Sequence, residues 1–185
     1  MKRTFIYLIG LLLVLAGCEQ QGTVEIVEKW PDGTKKVVHE YFSKEDSTFT
    51  EFAFYEHGGR MIIREFKNGQ QDGLFVAYHN DGAKKNLATF VDGKAHGDFT
   101  GWYETGEVYT KRSFENGVMT ALANYYRNGQ IIGEVVVEGG EIVSGVYYHE
   151  NGAIRSEGKI KNGQRSGTWK TYDEQGELKE VLEYP

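Results

Sequence analysis

From about residue 28 onward, short apolar runs alternate with glycine-containing turn sequences. The runs are about 6 to 8 residues long and rich in Val, Ile, Thr, Tyr and Phe, which is typical of β-strands and short for helices. Asn-Gly and Asp-Gly dipeptides separate many of the runs, and such dipeptides favour two-residue hairpin turns. The pattern predicts an all-β protein built from successive β-hairpins.

Two sets of glycines recur through this region. Each glycine of the first set, here called an A glycine, is followed at a constant interval by a B glycine, whereas the interval to the next A glycine varies slightly. The complete pairs are Gly58 with Gly69, Gly82 with Gly93, Gly106 with Gly117, Gly129 with Gly140, and Gly152 with Gly163. Gly33 and Gly176 extend the A set, and Lys44 occupies the B position of the first unit. Because one hairpin cannot bury its own face, the repeat predicts an array whose units stabilise one another.

Aromatic residues keep the same phase as the glycines. Stacked hairpins would bring equivalent residues of adjacent units about 10 Å apart, so the aromatic residues form a ladder along the sheet. Two interpretations remain open, since a ladder serves either as packing core or as a surface that stacks against a partner. The candidate binding residues are Tyr78, Trp102, Tyr125, Tyr148, Trp169 and Tyr172.

Residues 148–172, YHENGAIRSEGKIKNGQRSGTWKTY, carry the repeat most clearly. This pattern resembles the bacterial variant of the MORN repeat, and the resemblance covers about residues 28–185. It implies an elongated antiparallel sheet of tandem hairpins. Several exported bacterial members of this family are antitoxin-like partners of secreted toxins, so the resemblance also implies a role in binding protein.

The first residues have the features of an export signal. Lys2 and Arg3 precede an uncharged apolar run, and the run ends in Leu-Ala-Gly-Cys. This end resembles the lipobox of bacterial lipoproteins, which implies that residues 1–17 are a signal peptide and that Cys18 is acylated with chains such as palmitate. The expected organisation is then signal peptide 1–17, anchor linker 18–27 and repeat domain 28–185. The expected location is the cell envelope: the outer membrane of a Gram-negative host, or the outer face of a Gram-positive plasma membrane.

Composition and charge exclude several classes of partner. The chain has one cysteine, which permits no intramolecular disulfide and no paired-cysteine metal site. Without residues 1–17 it has 19 basic and 27 acidic residues, a formal charge of −8. An acidic protein is repelled by nucleic acid and by anionic lipid, so we expect no nucleic-acid partner and attachment to the membrane through acylated Cys18 alone.

No motif for chemistry stands out. The chain has no Gly-x-Ser-x-Gly elbow, no phosphate-binding loop and no EF-hand pattern. His79 and His149 share a phase, but the strand spacing of a sheet would place them roughly 30 Å apart. That distance is too long for a shared metal. His57 and His79 are closer, but both lie in turns with no carboxylate or cysteine at ligand spacing, so we interpret these two as solvated turn residues and expect no metal or other cofactor. The leading hypothesis is a non-enzymatic scaffold for a protein partner. A cell-wall glycan-binding module and a purely structural spacer are the alternatives.

Overall fold

A computed structural model describes residues 22–185 of the chain. These residues form one antiparallel sheet of fourteen strands, in which every strand pairs with its neighbours in sequence. The strands are β1 (Thr23–Lys29), β2 (Lys35–Ser43), β3 (Thr48–Phe54), β4 (Arg60–Lys67), β5 (Gln70–Tyr78), β6 (Lys84–Val91), β7 (Lys94–Trp102), β8 (Val108–Glu115), β9 (Val118–Tyr125), β10 (Ile131–Glu138), β11 (Glu141–Tyr148), β12 (Ile154–Lys161), β13 (Gln164–Tyr172) and β14 (Leu178–Tyr184). The predicted all-β fold of tandem hairpins is confirmed. The signal peptide 1–17 and Cys18 lie outside the described residues.

The sheet begins within the segment 18–27 that was expected to be a linker. Strand β1 starts at Thr23, and its register pairs Thr23 with Tyr41 and Ile26 with Val38 of β2. This strand precedes the first turn glycine, so it has no place in the glycine count, and only its pairing with β2 reveals it.

The A glycines end three-residue loops. Between β5 and β6, the Gly82 amide donates to the His79 carbonyl at 3.0 Å, and the His79 amide donates to the Ala83 carbonyl at 2.8 Å. Gly82 has a φ of +90°, the left-handed conformation that closes such a loop after a type I turn. The carboxylate of Asp81 accepts a bond from the Ala83 amide at 2.9 Å. An Asp or Asn side chain does the same in the loops of Gly33, Gly129 and Gly152.

The B glycines lie in two-residue hairpins instead. Asn68 and Gly69 have φ values of +51° and +74°, as a type I′ turn requires. Asp92, Asn116 and Asn162 adopt the same conformation before their B glycines, and Gly139 does so before Gly140. The prediction of two-residue hairpins is therefore confirmed at the B glycines and wrong at the A glycines. In the first unit, where Lys44 replaces the B glycine, the turn spans residues 44–47 and Ser47 has a φ of +51°.

The interval from a B glycine to the next A glycine varies because a bulge of variable width follows each B glycine. Arg64 pairs with Phe75 and Phe66 with Gln71, so three residues of β5 lie opposite one residue of β4. In the pairing of β8 with β9, Thr120 is the one residue of β9 left without a partner at the bulge. The wider bulges contain a glycine with positive φ, whereas the narrow ones have a residue with a side chain at that position. The glycines are Gly73, Gly97 and Gly167, and the replacements are Ala121 and Ser144.

The cross-strand register divides the side chains between two faces of a single-layer sheet. Face I holds Ala77, Thr110 and Trp169, and face II holds Val76, Lys111 and Lys170. From β7 onward the buried side chains all lie on face I: Thr110, Ser156 and Trp169. Face II carries most of the exposed large apolar side chains, which are Val24, Ile26, Leu74, Val91, Val118, Val136, Ile154, Leu178 and Val181. The core of this half of the sheet is therefore on face I, and face II is open.

Candidate functional site

Five of the six predicted binding residues lie on face II, where they form an aromatic row. Each is the last residue of the strand before an A-glycine loop, so the same position recurs in every second strand. Equivalent strands are two steps apart, which spaces the rings at about 10 Å. All five side chains are partly exposed. The row consists of Tyr78, Trp102, Tyr125, Tyr148 and Tyr172.

Aliphatic side chains fill the positions across the loop from four members of the row. Val108 pairs with Trp102, Ile131 with Tyr125, Ile154 with Tyr148 and Leu178 with Tyr172. Leu178 is 56% exposed and Ile154 is 37% exposed. Tyr78 differs, because it faces Lys84. The sheet thus presents a continuous apolar strip along one side of face II from β7 to β14, a feature that the sequence analysis missed.

Trp169 does not belong to the row. It lies three residues before Tyr172 on the same strand, so its side chain points to face I, where it is 1% exposed. Its indole donates to the Lys159 carbonyl at 2.8 Å, and its ring lies 6.1 Å from that of Tyr147. Trp169 is therefore a core residue, and we remove it from the candidate surface.

Charged residues flank the strip on the adjacent positions of face II. The hydroxyl of Tyr148 donates to Glu134 at 2.6 Å, and that of Tyr172 donates to Glu157 at 2.7 Å. The hydrogen bond to Glu134 is the main cause that raises the pKa of Tyr148 to about 12. The bond to Glu157 likewise raises the pKa of Tyr172. These carboxylates hold two rings of the row in fixed orientations.

The backbone of the row is held by side chains from the preceding repeat. At six of the A-glycine loops, the side chain of the residue just before the loop extends to the next unit and donates to the carbonyl of a strand-end residue 22 to 24 positions later. Tyr55, for example, donates to the Tyr78 carbonyl at 2.8 Å. We call these the locking residues: Trp30, Tyr55, His79, Tyr103, Tyr126 and His149. Their acceptors are the carbonyls of Phe54 and of the five row residues.

The interpretation of His79 as a solvated turn residue is wrong, and His149 makes an equivalent contact. Their Nε2 atoms lie 2.9 and 3.0 Å from the carbonyls of Trp102 and Tyr172. A carbonyl only accepts, so each histidine carries its proton on Nε2 and donates. The series ends at Asp173, whose carboxylate accepts bonds from amides of its own loop. The sequence signal is an aromatic residue or histidine three positions before an A glycine, which is present at six of the seven A glycines.

Face I contains one polar cluster that sequence reasoning missed. His39 Nε2 lies 3.1 Å from the carboxylate of Glu51, and its Nδ1 lies 3.2 Å from the Tyr41 hydroxyl. Arg64 also bonds to Glu51. Within residues 22–185, no group of three His, Cys, Asp or Glu side chains is arranged to hold a metal ion. No helix in that stretch has the length and hydropathy to cross a bilayer.

Two segments of the chain match the repeat family described as "MORN repeat variant": residues 95–116 and 165–184. The chain therefore contains MORN-type repeats in these segments. No curated protein matches the chain in sequence. One solved structure with similarity is a mutant of S. aureus TarM in complex with fondaparinux, alpha-GlcNAc-glycerol and UDP. It is 13% identical with a TM-score of 0.37, over 59% of this chain and 21% of that chain. The matched part is thus about a fifth of that protein, and a likeness at this level implies neither fold nor function.

Proposed function

We propose that this chain is a lipid-anchored protein of the cell envelope that binds another protein through face II and performs no catalysis. The observation that carries the proposal is the aromatic row with its aliphatic neighbours, an apolar strip on the open side of a single-layer sheet. Exposed apolar patches of this kind mark interaction sites, and Tyr and Trp dominate the energetics of protein interfaces.

The rigidity of the strip supports binding. The locking residues fix the backbone behind each ring, and Glu134 and Glu157 orient two of the hydroxyls. A surface that is ordered before binding loses little conformational entropy on association. The spread of the rings over five repeats favours a long contact area over a pocket.

The anchor is the second part of the proposal. Acylation of Cys18 would attach the protein to the outer membrane of a Gram-negative host or to the outer face of a Gram-positive plasma membrane. Two or more acyl chains on one residue exceed what stable attachment needs. A narrower form of the proposal, supported by the family resemblance, is that the partner is a secreted toxin and the chain is antitoxin-like.

Site-specific photo-crosslinking in intact cells tests the surface. A photoreactive amino acid at Ile154 reports on face II beside Tyr148, where Ile154 is 37% exposed. The matched control is the next residue, Arg155, which is also exposed but borders a cleft of face I with Tyr147 and Trp169. We expect a discrete protein adduct from position 154 and none from position 155.

The double substitution Tyr125→Ala with Tyr148→Ala should remove that adduct while leaving the protein at its normal level. Adducts of equal yield from both faces, or an adduct that survives the double substitution, would contradict the proposal. The glycan-binding alternative is tested by sedimentation with purified peptidoglycan. Binding to peptidoglycan that disappears in the same double variant would replace the protein-partner proposal.

A further inference from the structure

The first hairpin carries several exposed apolar side chains close together. Val24, Ile26 and Phe42 are 63%, 49% and 62% exposed. They lie close together in the first hairpin, because Val24 pairs with Glu40 and Ile26 with Val38, and Phe42 lies two residues beyond Glu40 at the end of β2. We call these three residues the edge patch. No strand precedes β1 in the sheet, so nothing in residues 22–185 covers it.

The net charge of the first hairpin also differs from that of the remaining strands. Residues 22–44 contain four acidic and four basic residues, a net charge of zero, whereas residues 45–185 contain 22 acidic and 15 basic residues, a net charge of −7. Two acidic side chains of β1 are paired with lysines: Glu25 with Lys44 at 3.2 Å and Glu28 with Lys36 at 2.5 Å. The first hairpin is therefore the part of the protein that an anionic surface repels least.

Face II is also more uniformly apolar near β1 than near β14. Ile26, Val38, Phe52, Ile63, Val76 and Leu87 occupy successive paired positions from β1 to β6. In the second half of the sheet the same line mixes polar, charged and apolar side chains: Thr100, Lys111, Ala123, Glu134, Val146, Glu157, Lys170 and Val181. The apolar end of the ribbon is the end at which the proposed anchor joins it.

An acyl anchor on Cys18 would limit the distance between the first hairpin and the membrane surface. From Cys18 to Thr23 there are five residue steps, which span at most about 18 Å when fully extended. The headgroup layer on one side of a bilayer is about 5 to 7 Å thick. An acyl chain on Cys18 therefore keeps the edge patch within reach of the membrane surface, while β14 lies about 60 Å away along the ribbon.

We infer that the edge patch rests on the phospholipid surface that carries the anchor and that the remaining strands project away from it. This inference rests on the proposed acylation of Cys18. The apolar side chains of the patch enter the headgroup layer, and the net negative charge of residues 45–185 keeps the rest of the sheet off an anionic membrane. The aromatic row then faces a partner at a distance from the lipid.

Fluorescence quenching on vesicles tests this arrangement. The acylated protein is placed in vesicles of phosphatidylethanolamine and phosphatidylglycerol that carry a nitroxide on the headgroup. One variant carries a fluorophore on Glu45→Cys, in the turn after β2, and the other on Gln164→Cys, at the start of β13 on the same long edge of the sheet. We expect quenching at position 45 to exceed quenching at position 164 by at least about threefold.

Substitution of the patch separates lipid contact from tethering. In the variant Val24→Ser, Ile26→Ser, Phe42→Ser, the protein should still float with the vesicles, but quenching at position 45 should fall at least about twofold. The matched control is Val136→Ser with Val181→Ser, which removes exposed apolar residues far from the first hairpin and should change neither flotation nor quenching at position 45.

Each other outcome overturns the inference. Equal quenching at positions 45 and 164 would show that the ribbon lies along the membrane. Unchanged quenching in the patch variant would show that the tether alone sets the distance. If the protein does not float with the vesicles, the proposed acyl anchor on Cys18 is wrong. The inferred orientation, which depends on that anchor, is then wrong as well. Neither of the two quenching outcomes would change crosslinking at Ile154. The crosslinking experiment therefore tests the protein-binding surface separately from the membrane contact of the edge patch.

Discussion

The locking residues make a sharp prediction about stability, and Tyr55 provides the cleanest case. Tyr55→Phe removes one hydroxyl, which donates to the Tyr78 carbonyl of the next unit at 2.8 Å. The ring remains, including its stacking against His57 at 5.4 Å. Any change in the free energy of unfolding therefore reports on this one hydrogen bond.

The magnitude follows from the environment of the bond. A neutral hydrogen bond contributes about 0.5 to 1.5 kcal/mol net, and the bond is partly buried, so water can reach the abandoned carbonyl. We expect Tyr55→Phe to lower the free energy of unfolding by about 1 kcal/mol, which reduces the folding equilibrium constant about fivefold. Six such bonds contribute about 6 kcal/mol together, which is comparable with the whole net stability of a domain. The locks thus add to the cohesion that backbone pairing between neighbouring strands already gives to adjacent repeats.

Urea unfolding followed by circular dichroism measures the effect, with Tyr125→Phe as the matched control. The Tyr125 hydroxyl has no hydrogen-bond partner among residues 22–185, so the same substitution there should change the unfolding free energy by only a few tenths of a kcal/mol. The reasoning is refuted if Tyr55→Phe destabilises the protein no more than Tyr125→Phe does.

Three further predictions concern single side chains. Gly158→Ala should lower stability by about 1 to 3 kcal/mol in thermal unfolding, because a Cβ there would lie 2.5 Å from the buried Trp169 ring. The pKa of Tyr148 is raised to about 12, so its bond to Glu134 stabilises the fold fully below pH 10 and progressively less as pH rises from 10 to 12. Tyrosinate absorbance during alkaline titration should show one group moving back toward its ordinary pKa in Glu134→Gln, and identical curves would contradict this. Asn116→Ala should cost about 1 kcal/mol, since Asn116 has a φ of +51°, whereas Asn116→Gly should cost almost nothing in the same unfolding assay.

Several features of the fold could be predicted because they depend on local chemistry. The Asn-Gly and Asp-Gly dipeptides identified the turns, and the spacing of the glycines identified the repeat. Asn-Gly nevertheless occurs in two types of turn. In the two-residue hairpin Asn116 adopts the left-handed conformation, whereas in the three-residue loop the Asn128 side chain accepts a hydrogen bond from the Gln130 amide. Loop length decides between the two, and the sequence does not mark where each strand ends.

The candidate surface was predicted in part. Five aromatic residues at one phase do share a face, because residues at the same position of stacked hairpins must do so. Trp169 was placed with them on its size and spacing. The structure puts it on the other face because it is an odd number of residues from Tyr172. The aliphatic partners of the row were missed because they belong to the following strand and meet the row only through pairing.

The sequence alone determined that this protein is a row of β-hairpins, since turn chemistry and strand periodicity act over a few residues and are written in order along the chain. Only the tertiary structure decided which face is core, and that Tyr55, His79 and their equivalents join one repeat to the next. Those features depend on contacts between residues more than twenty positions apart, and such contacts exist only after the strands have paired.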